Sequence, residues 1–144
     1  MSTNAIDGKF EKQGALAVRL ALGAILLAHG ILKALYFPAT LAYFGSLGLP
    51  NELAYLVAAL EIAGGILLIV GIQTRWAAVA VLPGLFGAVW AHSGNGWLFS
   101  SNGGGWEYPA LLTLLALVQA VTGNSTFSLP SGLRLSWHRE ESPA

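Results

Sequence analysis

Charged or imidazole side chains lie inside otherwise apolar sequence: Arg19, His29 and Lys33 in "ALAVRLALGAILLAHGILKAL" (15–35), and Glu61 in "AYLVAALEIAGGILLIVG" (54–71). A lone carboxylate in such surroundings costs several kcal/mol or stays protonated, and a basic partner on a neighbouring helix reduces that cost. Two kinds of chemistry fit the combination. One is a structural ion pair or hydrogen bond that fixes helix register. The other is a polar site for a quinone headgroup or a proton, because imidazole and carboxylate can hydrogen-bond quinone carbonyls and carry protons. Lys33 could instead reach the headgroup region with its long stem.

The remaining polar residues suggest simpler roles. Arg19 and Arg75 are placed to bind lipid phosphates or to serve structure. His92, Trp106 and Glu107 border the loop "SGNGWLFSSNGGGWEYP", which reads either as a flexible connection anchored by Trp97 and Trp106 or as a lid over an outer-face site. Glu107 suits a helix N-terminus. His29 and His92 could hold a haem from two helices only if their depths matched. No metal-ligand spacing is present, and "NGGGWE" lacks the Lys-Ser/Thr of a phosphate loop. The chain has no cysteine, which excludes disulfides, Cys-ligated zinc and Cys-held iron–sulfur clusters within it.

The elements that must carry these residues are membrane spans. Only 10% of the 144 residues are charged and 55% are hydrophobic, against about 25% charged in ordinary soluble domains. Mean hydropathy is +0.64. A soluble chain this short needs more polar surface than that. The formal net charge is zero, so nothing favours a nucleic-acid partner. Four apolar segments predict an all-α integral membrane four-helix bundle, with spans at about 15–35, 53–72, 75–92 and 108–123. Residues 1–14 form an N-terminal cytoplasmic segment, 15–123 the membrane domain and 124–144 a cytoplasmic tail, of which "LRLSWHR" could lie on the inner surface. The first apolar run is too long for a signal-peptide core, so it is read as a retained span. Pro83-Gly84 predict a kink or unwinding in the third span.

Six of the seven basic residues orient the bundle. Lys9, Lys12, Arg19, Arg75, Arg134 and Arg139 lie at one set of ends, whereas segments 36–51 and 93–106 have no Lys or Arg. The positive-inside rule puts both termini in the cytoplasm. At 100° per residue, Arg19, Gly23, Leu26, Gly30 and Lys33 share one face of span one. Ala54, Ala58, Gly64 and Gly65 share the Glu61 face of span two. The two small-residue faces are expected to pack together, antiparallel. Counting 1.5 Å per residue, Glu61 lies near mid-span, His29 about 6 Å and Lys33 about 12 Å to the outer side of the middle, and Arg19 about 9 Å to the inner side. Side chains lean toward their own helix N-terminus, so His29 or Lys33 is the expected partner of Glu61.

Three stretches together resemble the DoxX family of small four-span membrane proteins: the R-x3-G-x5-HG-x2-K pattern from Arg19 to Lys33, "LEIAGGILLIVGIQTRWAA" (60–78), and "GGGWEYPALLTLLALVQAVTG" (103–123). The likeness covers about residues 13–130, with Arg19, His29, Lys33, Glu61 and Glu107 at matching positions. It departs at "TGNSTFSLP", where the family often has a Gly-Pro-Gly-type turn and a Ser-Leu-Asp segment. The resemblance implies a bacterial-type plasma-membrane protein and an accessory subunit of a quinone-linked oxidoreductase complex, with no covalently bound cofactor. Catalysis by the chain alone is not expected, since it lacks nicotinamide, flavin and iron–sulfur fingerprints. A non-enzymatic assembly or scaffold protein, or a small-molecule or proton carrier, are the alternatives. The bilayer is one partner, and a membrane-protein partner or a homo-oligomer another.

Overall fold

The computed structural model describes residues 3–123, all helix and loop with no strand among them. Expectations for 124–144, with Arg134 and Arg139, lie outside the described residues. Five helices follow one another: α1 (Thr3–Leu35), α2 (Phe37–Ser46), α3 (Asn51–Val70), α4 (Thr74–His92) and α5 (Glu107–Thr122).

Each boundary has a local cause. Pro38 has no N–H to offer the carbonyl four residues back and its ring would strike it, so α1 cannot run on. The same proline sits in the first turn of α2, where the missing N–H costs nothing. This α2 replaces the loop expected between the first two spans. α3 starts after Pro50 with Glu52 in its first turn. It ends at Gly71, whose φ of 83° is left-handed, with the Gly71 and Ile72 N–H groups both donating to the Leu67 carbonyl. Gln73, at φ 46°, is the only non-glycine residue with positive φ among the described residues. The tight turn it completes sends α4 back along α3. α4 continues through Pro83 as one helix, so of the expected kink or unwinding the unwinding does not occur.

α1 packs mainly on α3, α3 on α4, α4 on α5, and α5 back on α1, so these four helices form a closed ring; α2 rests on α3 and the end of α1. Leu22 and Leu26 of α1, Leu68 of α3, Ala77, Val81 and Leu85 of α4, and Leu112 and Ala116 of α5 meet at its centre. Large apolar side chains also cover the outside, among them Ile31, Leu56, Ile66, Val79, Phe86, Leu114 and Val121. Such a surface suits hydrocarbon. Three stretches are long and apolar enough to cross a membrane: Phe10–Leu35, Asn51–Val70 and Thr74–Asn95. The first opens five residues earlier than the expected 15. The fourth expected span is the 16-residue α5, roughly 24 Å long against a hydrocarbon core of about 30 Å.

The α1–α3 seam is glycine-lined. A Cβ on Gly65 would lie 2.7 Å from the Leu27 nitrogen and 2.8 Å from the Gly23 carbonyl oxygen; one on Gly30 would lie 2.9 Å from the Ile62 nitrogen. Gly64, expected on the same face, turns to α4 instead, where a Cβ would meet Val81. The paired glycines of α3 therefore serve two neighbours.

Candidate intramembrane and outer-face sites

The close α1–α3 seam brings Lys33 onto Glu61. The Lys33 Nζ donates to Glu61 Oε1 at 2.7 Å and to Oε2 at 2.6 Å, with the two side chains only 26% and 14% exposed. Both carboxylate oxygens are thus engaged by one ammonium. Of the two candidate partners for Glu61, the structure places Lys33 on it. The Lys33 ammonium is engaged in this contact. Glu61 also lines a small cavity of about 10 Å³ against α4, bounded by Val57, Val81, Gly84 and Leu85.

His29, one turn before Lys33, is committed elsewhere. Its Nδ1 lies 2.9 Å from the Ile25 carbonyl oxygen, which can only accept, so Nδ1 carries the proton. In the neutral ring Nε2 is then an acceptor. The ring lies 5.7 Å from that of Tyr108 on α5. His29, Lys33 and Glu61 therefore occupy adjacent turns of the α1–α3–α5 interior without forming one hydrogen-bonded triad.

Near the middle of α1, Arg19 is 2% exposed, on the same buried face as Leu22 and Leu26. Its side chain is buried, as the structural alternative for this residue requires. Arg75 is exposed, and its Nη2 donates to the Val121 carbonyl at 3.1 Å. A cation at the C-terminus of α5 is favourable. Beside it is a residue that sequence reasoning missed: Gln119, 0% exposed, whose Nε2 donates to the Gly123 carbonyl at 2.6 Å and to Thr74 Oγ1 at 3.2 Å. The signal was a single amide within "LLALVQAVTG".

The loop 93–106 is pinned by hydrogen bonds at several points. The Trp106 and Glu107 N–H groups donate to the Gly96 and Trp97 carbonyls, each at 3.1 Å. His92 Nδ1 donates to the carbonyls of Gly103 and Gly104 at 3.1 and 3.0 Å, and Asn95 Nδ2 donates to the same pair. Gly105 passes so close to the Trp97 and Leu98 carbonyls that no Cβ would fit. Glu107 Oε1 accepts the Phe99 N–H at 2.7 Å, and the Trp97 and Trp106 rings meet edge to face at 4.4 Å. The His92 ring also stacks on Tyr43 of α2, 6.1 Å away. Between this loop and α5 runs an open groove of about 500 Å³. Among the described residues no cluster of His, Cys, Asp and Glu could hold a metal.

An all-helical ring with apolar side chains on its outside, three helices of spanning length and an ion pair held inside is the architecture of an integral membrane protein. The DoxX family profile matches residues 14–94, more than half of the chain. A Bacillus subtilis (strain 168) protein named "Putative oxidoreductase CatD" is 34% identical over 116 residues, which is 81% of this chain and 84% of that protein. The chain belongs to the DoxX family. No solved structure shows a significant match to it.

Proposed function

We propose that this chain is a four-span accessory subunit of a membrane oxidoreductase in a bacterial-type plasma membrane, and that its intramembrane polar residues meet a quinone ring. The observation that carries the reading is His29, whose Nδ1 bond to Ile25 leaves Nε2 as an acceptor one turn from the Lys33–Glu61 pair. Charge at this depth is retained at a cost, and a redox or proton role is a frequent reason for it. His29 Nε2, left as an acceptor by the Nδ1 bond to Ile25, could receive a quinol hydroxyl. The name of the B. subtilis relative supports the redox context. The fourth span is α5, completed at its outer end by the pinned loop, and both chain ends lie in the cytoplasm, in keeping with the distribution of basic residues. Because the chain has no cofactor fingerprint, the electron-carrying group resides on a partner protein.

The test is a mild-detergent pull-down of the tagged chain from its own membranes. Stoichiometric recovery of a cofactor-bearing oxidoreductase is expected, together with weaker quinone binding by His29→Ala. Recovery of the chain alone, with quinone binding untouched by His29→Ala, refutes the reading. One observation favours the rival scaffold role: Lys33 engages both Glu61 oxygens, as a purely architectural pair would. If Glu61→Gln lowers assembly but leaves the activity per assembled complex intact, the pair is architectural.

A further inference from the structure

The groove beside α5 shares Tyr108 with the surroundings of His29 but is otherwise not used by the site above. Its walls are Trp97 and Phe99 from the pinned loop and Tyr108 from α5; its floor includes Leu111 and Leu114, three residues apart on the same helix face; and Glu107 supplies its one carboxylate. A volume of about 500 Å³ falls within the usual range for small-molecule sites, roughly 300–1,000 Å³. Phe99, Leu111 and Leu114 are all exposed, so the groove is open along its length.

We propose that this groove binds a lipophilic ammonium: an amphiphile with a compact cationic head and a single apolar tail. The head lies among the aromatic side chains and Glu107. The negative face of an aromatic ring attracts a cation, most strongly when water is excluded. Only Oε1 of Glu107 is engaged, by the Phe99 N–H, and no described residue binds Oε2. Glu107 lines the groove, and no basic side chain among the described residues compensates its charge. The positive end of α5 offsets part of this charge, up to about half a unit. The tail follows Leu111 and Leu114 toward the hydrocarbon.

Charge complementarity also selects against other occupants. Segments 36–50 and 93–106 contain no Lys or Arg, and Lys33 is committed to Glu61. A phospholipid would bring its phosphate to a rim that has a carboxylate and no cation. An anionic amphiphile would meet the same carboxylate directly. A neutral one gains the leucine track but neither the rings' attraction nor that of Glu107.

The experiment uses the full chain in nanodiscs, with tryptophan emission as readout and empty discs as background. The probes are dodecyltrimethylammonium and dodecyldimethylamine oxide, which share a tail and differ in head charge at pH 8. The expected result is saturable binding of the ammonium roughly tenfold tighter than of the amine oxide. Trp97→Phe should remove most of the signal. Glu107→Gln keeps an oxygen for the Phe99 N–H and should abolish the preference while leaving amine oxide binding unchanged. Equal affinities in the wild type, or a preference that survives Glu107→Gln, overturns the proposal. If Glu107→Gln does not assemble, Phe99→Ala decides: about a two- to fivefold loss for the ammonium alone supports it, and no change overturns it. None of these outcomes depends on quinone binding at His29.

Discussion

Replacing Gly65 with alanine tests the α1–α3 seam most directly. The added Cβ would lie 2.7 Å from the Leu27 nitrogen, 2.8 Å from the Gly23 oxygen and 2.9 Å from the Leu27 Cβ. Comfortable contacts to carbon begin at about 3.5 Å, so α1 must retreat by roughly 0.6–0.8 Å. Two of the three obstacles are backbone atoms and cannot rotate away. Overpacking of this kind costs about 1–3 kcal/mol. Gly64→Ala meets a softer obstacle, the Val81 Cγ1 at 2.7 Å, a side-chain methyl and not backbone. Gly87→Ala meets nothing within 4 Å, and gains about 0.5–1 kcal/mol from relief of glycine's backbone entropy. The predicted order of stability is Gly87→Ala above Gly64→Ala above Gly65→Ala, with about 2–3 kcal/mol between the extremes. Reversible unfolding in mixed micelles measures the series. Because the chain has no cysteine of its own, cysteine pairs introduced across α1 and α3 can report the separation independently. A Gly65→Ala protein as stable as Gly87→Ala, with unchanged cross-linking, would refute the packing argument.

Two further predictions concern the polar contacts. In a double-mutant cycle, Lys33→Met and Glu61→Leu should each destabilise by about 2–4 kcal/mol, while the double variant recovers most of the loss, because removing one partner leaves a charge in the span and removing both does not. Purely additive losses in the unfolding assay would mean that the pair is not coupled. Gln119→Leu should cost about 1–2 kcal/mol by leaving the buried Gly123 carbonyl unpaired, and Arg75→Ala less than about 1 kcal/mol because its contact is exposed; an Arg75→Ala protein less stable than Gln119→Leu contradicts the reading of that end of the bundle.

The apolar runs, the glycine-bearing faces and the three long spans were legible in the sequence because helix period and bilayer thickness are one-dimensional constraints. Arg19, Gly23, Leu26 and Gly30 all lie on the buried face of α1, as their spacing of three and four residues requires. α2 was also signalled, by Pro38 at the head of "FPATLAYFGS", but a ten-residue helix leaves little periodicity to set against a loop. What the one-dimensional pattern could not settle was choice among neighbours. Spacing and lean left both His29 and Lys33 as partners for Glu61. The packed helices decided for Lys33, because the seam at Gly30 and Gly65 brings its ammonium to the carboxylate while His29 bonds back to Ile25. The same holds for Gly64 and Gly65, adjacent in sequence yet facing α4 and α1 respectively, since successive helical positions point about 100° apart and only a surrounding ring of helices gives each direction a neighbour. The groove beside α5 was hinted at only by the reading of the 93–106 loop as a lid: Trp97, Phe99 and Glu107 meet there because backbone hydrogen bonds fold the loop back over α5.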